Sequence, residues 1–353
     1  MGKKHAVVKI ILAVLVAKAK VTSKAVAFSI PGKPVDARQR EWHDYTANQA
    51  GRWRGLWTTY DPSGNQQGDP DRMDTTLDLS SNGQVMKHVN TLYVESVDSD
   101  CSSCFDSVET REMPVGEYTQ ESFRQRVSGA VYLSGPGVTR RGDMTTEVGF
   151  RCADRRVRCV VSHRPVFNGA EPPSQLLLER IVIVKETRSA REDSVQTVDS
   201  LWSRFEKPSW LGLWYGHTRF LDAVDTDGGN GEGGLAWQEE PFPPSHLRKC
   251  RCSGVPEEDS HLSLEVDGGI RLEAPKLVRS GEPAELSVSW SVGRTEAGES
   301  CRIMQTKVRL EALSRIVGEE GGVGDAQNVR ISPPKLLRFD VGDLEPVESA
   351  GLR

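Results

Sequence analysis

The sequence predicts an all-β chain of two tandem antiparallel barrels, and three observations carry that expectation. The pattern Trp-x-Gly-x-Trp occurs at residues 53–57 and again at 210–214, and four of the eight tryptophans fall in these two pentapeptides. Chance is a poor explanation for such a repeat. The copies lie about one ordinary domain length apart, so the chain reads as two copies of one fold. Downstream of each copy, short β-branched runs alternate with turn signals while helix signals are few, the pattern of an antiparallel barrel or sandwich.

A short helix is expected over residues 38–49, just before the first motif. In the strand that follows, Trp53, Gly55, Trp57 and Thr59 share one face. If that face points inward, the tryptophans plug one end of a barrel, and the glycine admits a sharp bend or a close neighbour. Residues 73–80 alternate into 84–97 through the turn Ser81-Asn82-Gly83. Residues 130–133, 144–150, 156–163 and 175–187 read as further strands, the last rich in the branched side chains that favour a pleated surface. The second half repeats this more loosely at 246–252, 261–266, 270–274, 285–292, 302–316 and 335–341. Its Gly-rich stretch 228–234 and Pro241–Pro244 suggest a distorted or partly open barrel.

Both tryptophan strands, with Trp53, Gly55 and Trp57 in one and Trp210, Gly212 and Trp214 in the other, resemble the Gly-x-Trp first strand of lipocalin or calycin barrels. With Tyr60-Asp61-Pro62-Ser63-Gly64 and the Leu-rich strand 175–186, the chain looks like the two-barrel family of cyanobacteria and plastids known as domain of unknown function 3598. The likeness covers residues 42–345 and is clearest at the tryptophan strands and at 172–185. It implies a fold and a photosynthetic setting but no reaction, so no catalytic residue is carried over. It also implies a late-strand arginine closing the tryptophan end, here Arg180 over Trp57, with Arg309 or Arg315 eligible in the second half. Such a charge in an apolar run is expensive unless it is paired or lies over an aromatic face. The domains expected are thus residues 41–193 and 200–345, with a tail at 346–353.

Charge divides the chain of 353 residues: residues 1–40 carry nine Lys/Arg against Asp36, a net of +8, and the remainder carries −13. An acidic body repels phosphate backbones, which argues against a nucleic-acid partner. Lys3 and Lys4 precede an apolar stretch too short to span a bilayer, and Ala25-Val26-Ala27-Phe28 offers small residues at a signal-peptidase spacing. The stretch resembles the bipartite signal of secondary plastids, with a signal peptide at 1–27, a cut between Ala27 and Phe28, and a transit-like segment at 28–40. A secreted or a mitochondrial address is the alternative.

Chemistry is less legible. Cys101 and Cys104 have redox spacing, but Asp98, Asp100 and Asp106 surround them and oppose a thiolate, so a loop disulfide or inert thiols are expected. Cys250 and Cys252 add no plausible zinc set. Residues 225–236 fail the calcium-loop spacing, with Gly229 at the fifth position and Ala236 at the twelfth. The seven histidines are scattered, there is no nucleophile elbow, and neither catalytic residue, metal nor cofactor is nominated. The expected function is a plastid binding protein for a small apolar or tetrapyrrole- or carotenoid-type molecule. The N-terminal barrel would hold it, lined by Trp53, Tyr93, Tyr132 and His163. The alternatives are a barrel enzyme (isomerase, cyclase or pigment lyase) and a structural or assembly factor without a ligand.

Overall fold

A computed structural model describes residues 37–96, 107–139, 142–167, 175–188, 202, 213–222, 237–246, 260–292, 302–311, 315–316, 330–331 and 334–346. The leader with Ala27 and Phe28, Cys101, Cys104, Trp210, Gly212, the loop 225–234, Cys250 and Cys252 lie outside the described residues.

Helix α1 (Ala37–Gln49) buries Glu41, Trp42, Tyr45, Thr46 and Gln49, a stripe at helical spacing. The first half then supplies β1 (Gly51–Tyr60), β2 (Asp71–Leu79), β3 (Val85–Ser96), β4 (Ser107–Thr119), β5 (Arg126–Ser128), β6 (Val131–Val138), β7 (Met144–Cys152), β8 (Arg155–Pro165) and β9 (Gln175–Arg188). The second half supplies β10 (Leu213–Asp222), β11 (Trp237–His246), β12 (His261–Val266), β13 (Ile270–Pro275), β14 (Leu277–Arg279), β15 (Ala284–Val292) and β16 (Arg302–Leu310). A short pair, β17 (Arg315–Ile316) and β18 (Arg330–Ile331), and the last strand β19 (Leu336–Pro346) complete it.

The fold is all-β and antiparallel. The first sheet runs β4-β3-β2-β1-β9-β8-β7-β6-β5, and the second runs β11-β10-β19-β16-β15-β13-β12. Both obey one wiring rule: the opening strand pairs with its successor and with the last strand, as in Gly55↔Glu186 and Gly216↔Leu344. In the first sheet this returns the chain on itself. Arg158 of β8 reaches Thr75 of β2 across β9 and β1, which a flat sheet would not allow. The sheet is therefore curled, with β4 and β5 as its free edges among the described residues.

Which face lies inside the curl follows from cross-strand partners, which share a face. Trp53, Gly55 and Trp57 sit with Thr75 on β2, with Val184 and Glu186 on β9, and through these with Arg156 and Arg158 on β8. The opposite face carries Val157, Cys159, Val161, Ile181 and Ile183. These pack with Leu272, Val288, Trp290, Val308 and Phe339 of the second sheet in one apolar core. Each half supplies a sheet, but the main core lies between the sheets, and the interior of the first is polar. Residues Asp36–Arg353 form one compact unit.

Strands β4 and β11 were not expected. The first is polar and contains Pro114 and Gly116, and the second contains Pro241, Pro243 and Pro244. Both are edge strands, where a missing backbone donor is tolerated. Strand β14 belongs to the second half yet pairs with β9, Leu277 opposite Leu177, and so crosses to the first sheet. Among the described residues no helix is long and apolar enough to cross a membrane.

Candidate functional site

The interior of the first sheet is floored by a charged network. Glu186, fully buried, accepts hydrogen bonds from Arg156 Nε at 2.6 Å and from Arg158 Nε and Nη2 at 3.1 and 3.0 Å. Arg158 also lies 3.5 Å from Glu147 and donates to Thr75, whose hydroxyl donates to Asn90. His88 Nε2 lies 3.2 Å from the same Asn90 oxygen, and its Nδ1 lies 3.4 Å from the Tyr118 hydroxyl. The Tyr132 hydroxyl donates to Glu147 at 2.5 Å.

Two glycines make room for this. A Cβ at Gly55 would sit 2.6 Å from Glu186 Cγ, so the repeat glycine lets a charged side chain cross β1. A Cβ at Gly149 would overlap the Tyr132 ring, which lies flat over that position.

The tryptophans are stacked by arginines, but not by the one expected. Arg156 lies 4.4 Å from the Trp53 ring centre and Arg158 lies 5.0 Å from that of Trp57, each within cation–π range. Arg180 is exposed where the β8–β9 register slips, opposite Ser162, and does not reach Trp57. In the second half Arg309 is exposed, and the side chain of Arg315 lies outside the described residues. There Trp214 is buried with Ile303 and Leu344, and Arg338 stands 4.3 Å over Phe220 instead.

Burial would raise the Glu186 carboxyl, but the adjacent Arg156 and Arg158 hold it down at about 2. Burial lowers His88 to about 4, helped by the positive Arg158, so its ring is neutral. Burial and the Glu147 charge push Tyr132 well above the usual phenol range. The floor is therefore a set of fixed charges with neutral donors and acceptors around them.

One end of the curl is plugged and the other is more open. Helix α1 caps the Trp53 end: Trp53 Nε1 donates to the Gln49 carbonyl at 2.8 Å, and Gln49 Oε1 accepts from Arg156 at 3.3 Å. Trp42, Tyr45 and Phe123 pack there against Tyr132. Exposure rises toward Trp57. Leu92, Met113, Val160 and Val182 share the interior face by register and are half-buried, so that face carries apolar side chains as well as the charged floor.

Of the four lining residues read from the sequence, the structure brings two together. Trp53 and Tyr132 share the plugged end. Tyr93 faces outward, its hydroxyl 3.0 Å from Asp74. His163 lies between the sheets, its Nε2 2.9 Å from the Pro275 carbonyl. A bulge beside His163, and the two-residue period by which a one-residue slip turns every side chain over, put these side chains on other faces. Arg156, Arg158, Glu147 and Glu186 were missed. The alternation of Arg156-Val157-Arg158-Cys159 was the available signal, masked by the assumption that the apolar face is the inner one. Cys159 is buried in the intersheet core, which raises its thiol pKa. Among the described residues no group of three or more His, Cys, Asp or Glu is placed to hold a metal ion.

Residues 38–190 match the family model described as a domain of unknown function (DUF3598), N-terminal. Among solved structures, the chain is similar to a protein with unknown function from the DUF3598 family of Nostoc punctiforme PCC 73102. That similarity has 13% identity and a TM-score of 0.47, and it covers 87% of this chain and 99% of that one. No curated protein matches.

Proposed function

We propose that the chain is a lipocalin-like binding protein of two tandem barrels whose curled first sheet takes up a small amphipathic molecule. The carrying observation is a pair of unmatched donors on the interior face: Arg156 Nη2 and Trp57 Nε1 are buried without a hydrogen-bond partner. Buried donors are normally satisfied, and among the described residues no unmatched buried acceptor accompanies them on that face. The complement is a ligand whose polar end accepts hydrogen bonds while its apolar body lies among Leu92, Met113, Val160 and Val182. Ligand pockets commonly combine apolar walls with a few placed polar groups. Of the ligand classes the sequence suggests, a tetrapyrrole brings carboxylates to this floor and a carotenoid hydrocarbon does not.

The test is incubation of the whole chain with plastid pigment extract, then native mass spectrometry and an absorption spectrum. One tightly held, carboxylate-bearing pigment is expected, bound at least about tenfold more weakly after Leu92→Asp on the interior face, since every 1.4 kcal/mol is a factor of ten. If nothing is retained, the binding reading falls and the assembly-factor reading takes its place. A second reading, an isomerase, cyclase or pigment lyase in the same sheet, rests on the short Tyr132–Glu147 hydrogen bond beside Arg158. Chemical conversion of the added pigment, lost in Tyr132→Phe, would favour it.

The proposed address is the secondary plastid. A fluorescent fusion of residues 1–45 should accumulate there, and Phe28→Ala should divert it; a cytosolic fusion refutes the address.

A further inference from the structure

Hydrogen bonds inside the curl of the first sheet run in a fixed direction and leave one pair of donors over. Arg158 can only donate, and its Nη2 reaches the Thr75 hydroxyl at 3.2 Å. Thr75 gives its own proton to Asn90 Oδ1 at 3.1 Å. His88 is neutral and carries a single ring proton. Its Nε2 lies 3.2 Å from the same Oδ1, an atom that can only accept, so the proton sits on Nε2. Nδ1 is then an acceptor, and the Tyr118 hydroxyl lies 3.4 Å from it as donor.

The amide nitrogen of Asn90 is what remains. Asn90 is 7% exposed, and among the described residues its Nδ2 has no hydrogen-bond partner, although the oxygen beside it has two. Register puts Asn90 on the interior face: it stands opposite Thr75, which stands opposite Trp53, and Met113 lies across from it on β4. Leu92 follows two residues along the same face. The free N–H groups therefore sit where the charged network meets half-buried apolar side chains, one hydrogen-bonded residue away from Arg158. Leaving a buried amide donor unmade costs free energy, so an amide held in place through its oxygen calls for an acceptor at its nitrogen. Asn90 has no charge to offset an anion, and a buried anion without a counter-charge is expensive. A neutral carbonyl oxygen is the fitting acceptor.

We infer that Asn90 is a specificity residue of the binding site proposed above: it takes an uncharged carbonyl oxygen of a molecule whose carboxylate lies at Arg156 and Trp57. The ligand is then an amphipathic molecule with both kinds of oxygen. Among tetrapyrroles that means an open chain with terminal lactam carbonyls, rather than a closed macrocycle whose only oxygens are carboxylates. Thr75 and His88 are positioning residues, since they hold the Asn90 oxygen and leave its nitrogen to the ligand. Tyr118 acts one step further back, by fixing the proton of His88 on Nε2. This assignment rests on the binding reading, but the two can fail separately.

The test titrates the whole chain with biliverdin, which has lactam carbonyls besides its carboxylates, and with protoporphyrin IX, which has carboxylates alone. Quenching of tryptophan emission reads both affinities. Biliverdin is expected to bind at least about tenfold more tightly, and in Asn90→Leu the two affinities should come within about twofold, through loss on the biliverdin side. Asn90→Asp keeps an acceptor for Thr75 and His88 while removing the N–H donors, so it serves if the leucine variant does not fold, and the same loss is expected. A preference based on shape would survive in both variants, whereas one based on the amide would not. Equal binding of the two pigments by the unaltered chain, or a preference unchanged in Asn90→Asp, overturns this assignment and leaves the binding reading standing. Retention of neither pigment overturns the assignment, and the binding reading falls with it if the plastid extract also yields nothing.

Discussion

Replacing Glu186 with glutamine is expected to destabilise the fold by about 3–5 kcal/mol, the cost of breaking a buried ion pair from one side. Glu186 and Arg156 are essentially unexposed, and Arg158 is 4% exposed, so neither guanidinium can turn to water when its counter-charge is lost. Glu147 remains beside Arg158, but it is quarter-exposed and cannot serve both. Denaturant unfolding followed by circular dichroism measures the loss, and an unchanged midpoint would refute the account. The same pair sets an acid limit. Glu186 titrates at about 2 when folded, below its unfolded value, so its stabilisation is fully present above the unfolded pKa and lost as pH falls toward 2. His88 acts in the same sense: its folded value near 4 lies below the unfolded 6.5, so the unfolded chain takes up the proton first as pH drops. Stability should fall from about pH 6.5 to about 4 through His88, and from about pH 4.5 to about 2 through Glu186. Replacing the trio together, Arg156→Leu, Arg158→Met and Glu186→Leu, should be near neutral for stability, because apolar replacement of a whole buried ion cluster often is. A stable triple variant that no longer retains pigment would separate the binding role of the floor from its structural one.

The all-β class, the short leading helix and the central strands were legible because their signals are local. Residues 261–266 and 285–292 alternate, and β12 and β15 lie there within a residue at either end. The edge strands β4 and β11 were not, since an edge needs neither continuous donors nor two buried faces, and proline and acidic residues then hide the strand. The larger miss concerns the inside of the curl. Alternation along Arg156-Val157-Arg158-Cys159 states that two faces differ, but not which one is concave. An isolated barrel would bury the apolar face within. Here a second sheet covers the outer face, so Val157 and Cys159 turn outward to Trp290 and its neighbours while the arginines turn in. The partner of the tryptophans followed the same logic. Sequence pointed to Arg180 as the arginine that interrupts an apolar strand, whereas the arginines that stack come from β8, two residues apart on the face opposite its apolar side chains.

Truncating Trp290 to alanine should cost about 3–5 kcal/mol, in the range of large aromatic deletions from packed cores. Trp290 is fully buried on β15, its ring 5.9 Å from Trp202 and 5.7 Å from the Arg155 guanidinium of β8. It therefore joins the second sheet to the first, and its loss acts on both. Val148, Val157, Cys159, Ile181 and Ile183 would keep their apolar face but lose part of its cover. Because the core is shared, both sheets should still unfold in a single transition, shifted to lower denaturant in Trp290→Ala and monitored at once by tryptophan emission and circular dichroism. Residues 41–193 produced alone follow the same reasoning to a stronger result. Strands β6 to β9 would present their apolar face to water, and exposed patches of that kind associate. Aggregation or dimer formation is expected, relieved by adding residues 200–345 in trans. A half-chain that stays monomeric and melts like the whole protein, or a Trp290→Ala protein with an unshifted transition, would show that the halves are stable separately and that the intersheet core is a contact rather than the foundation of the fold.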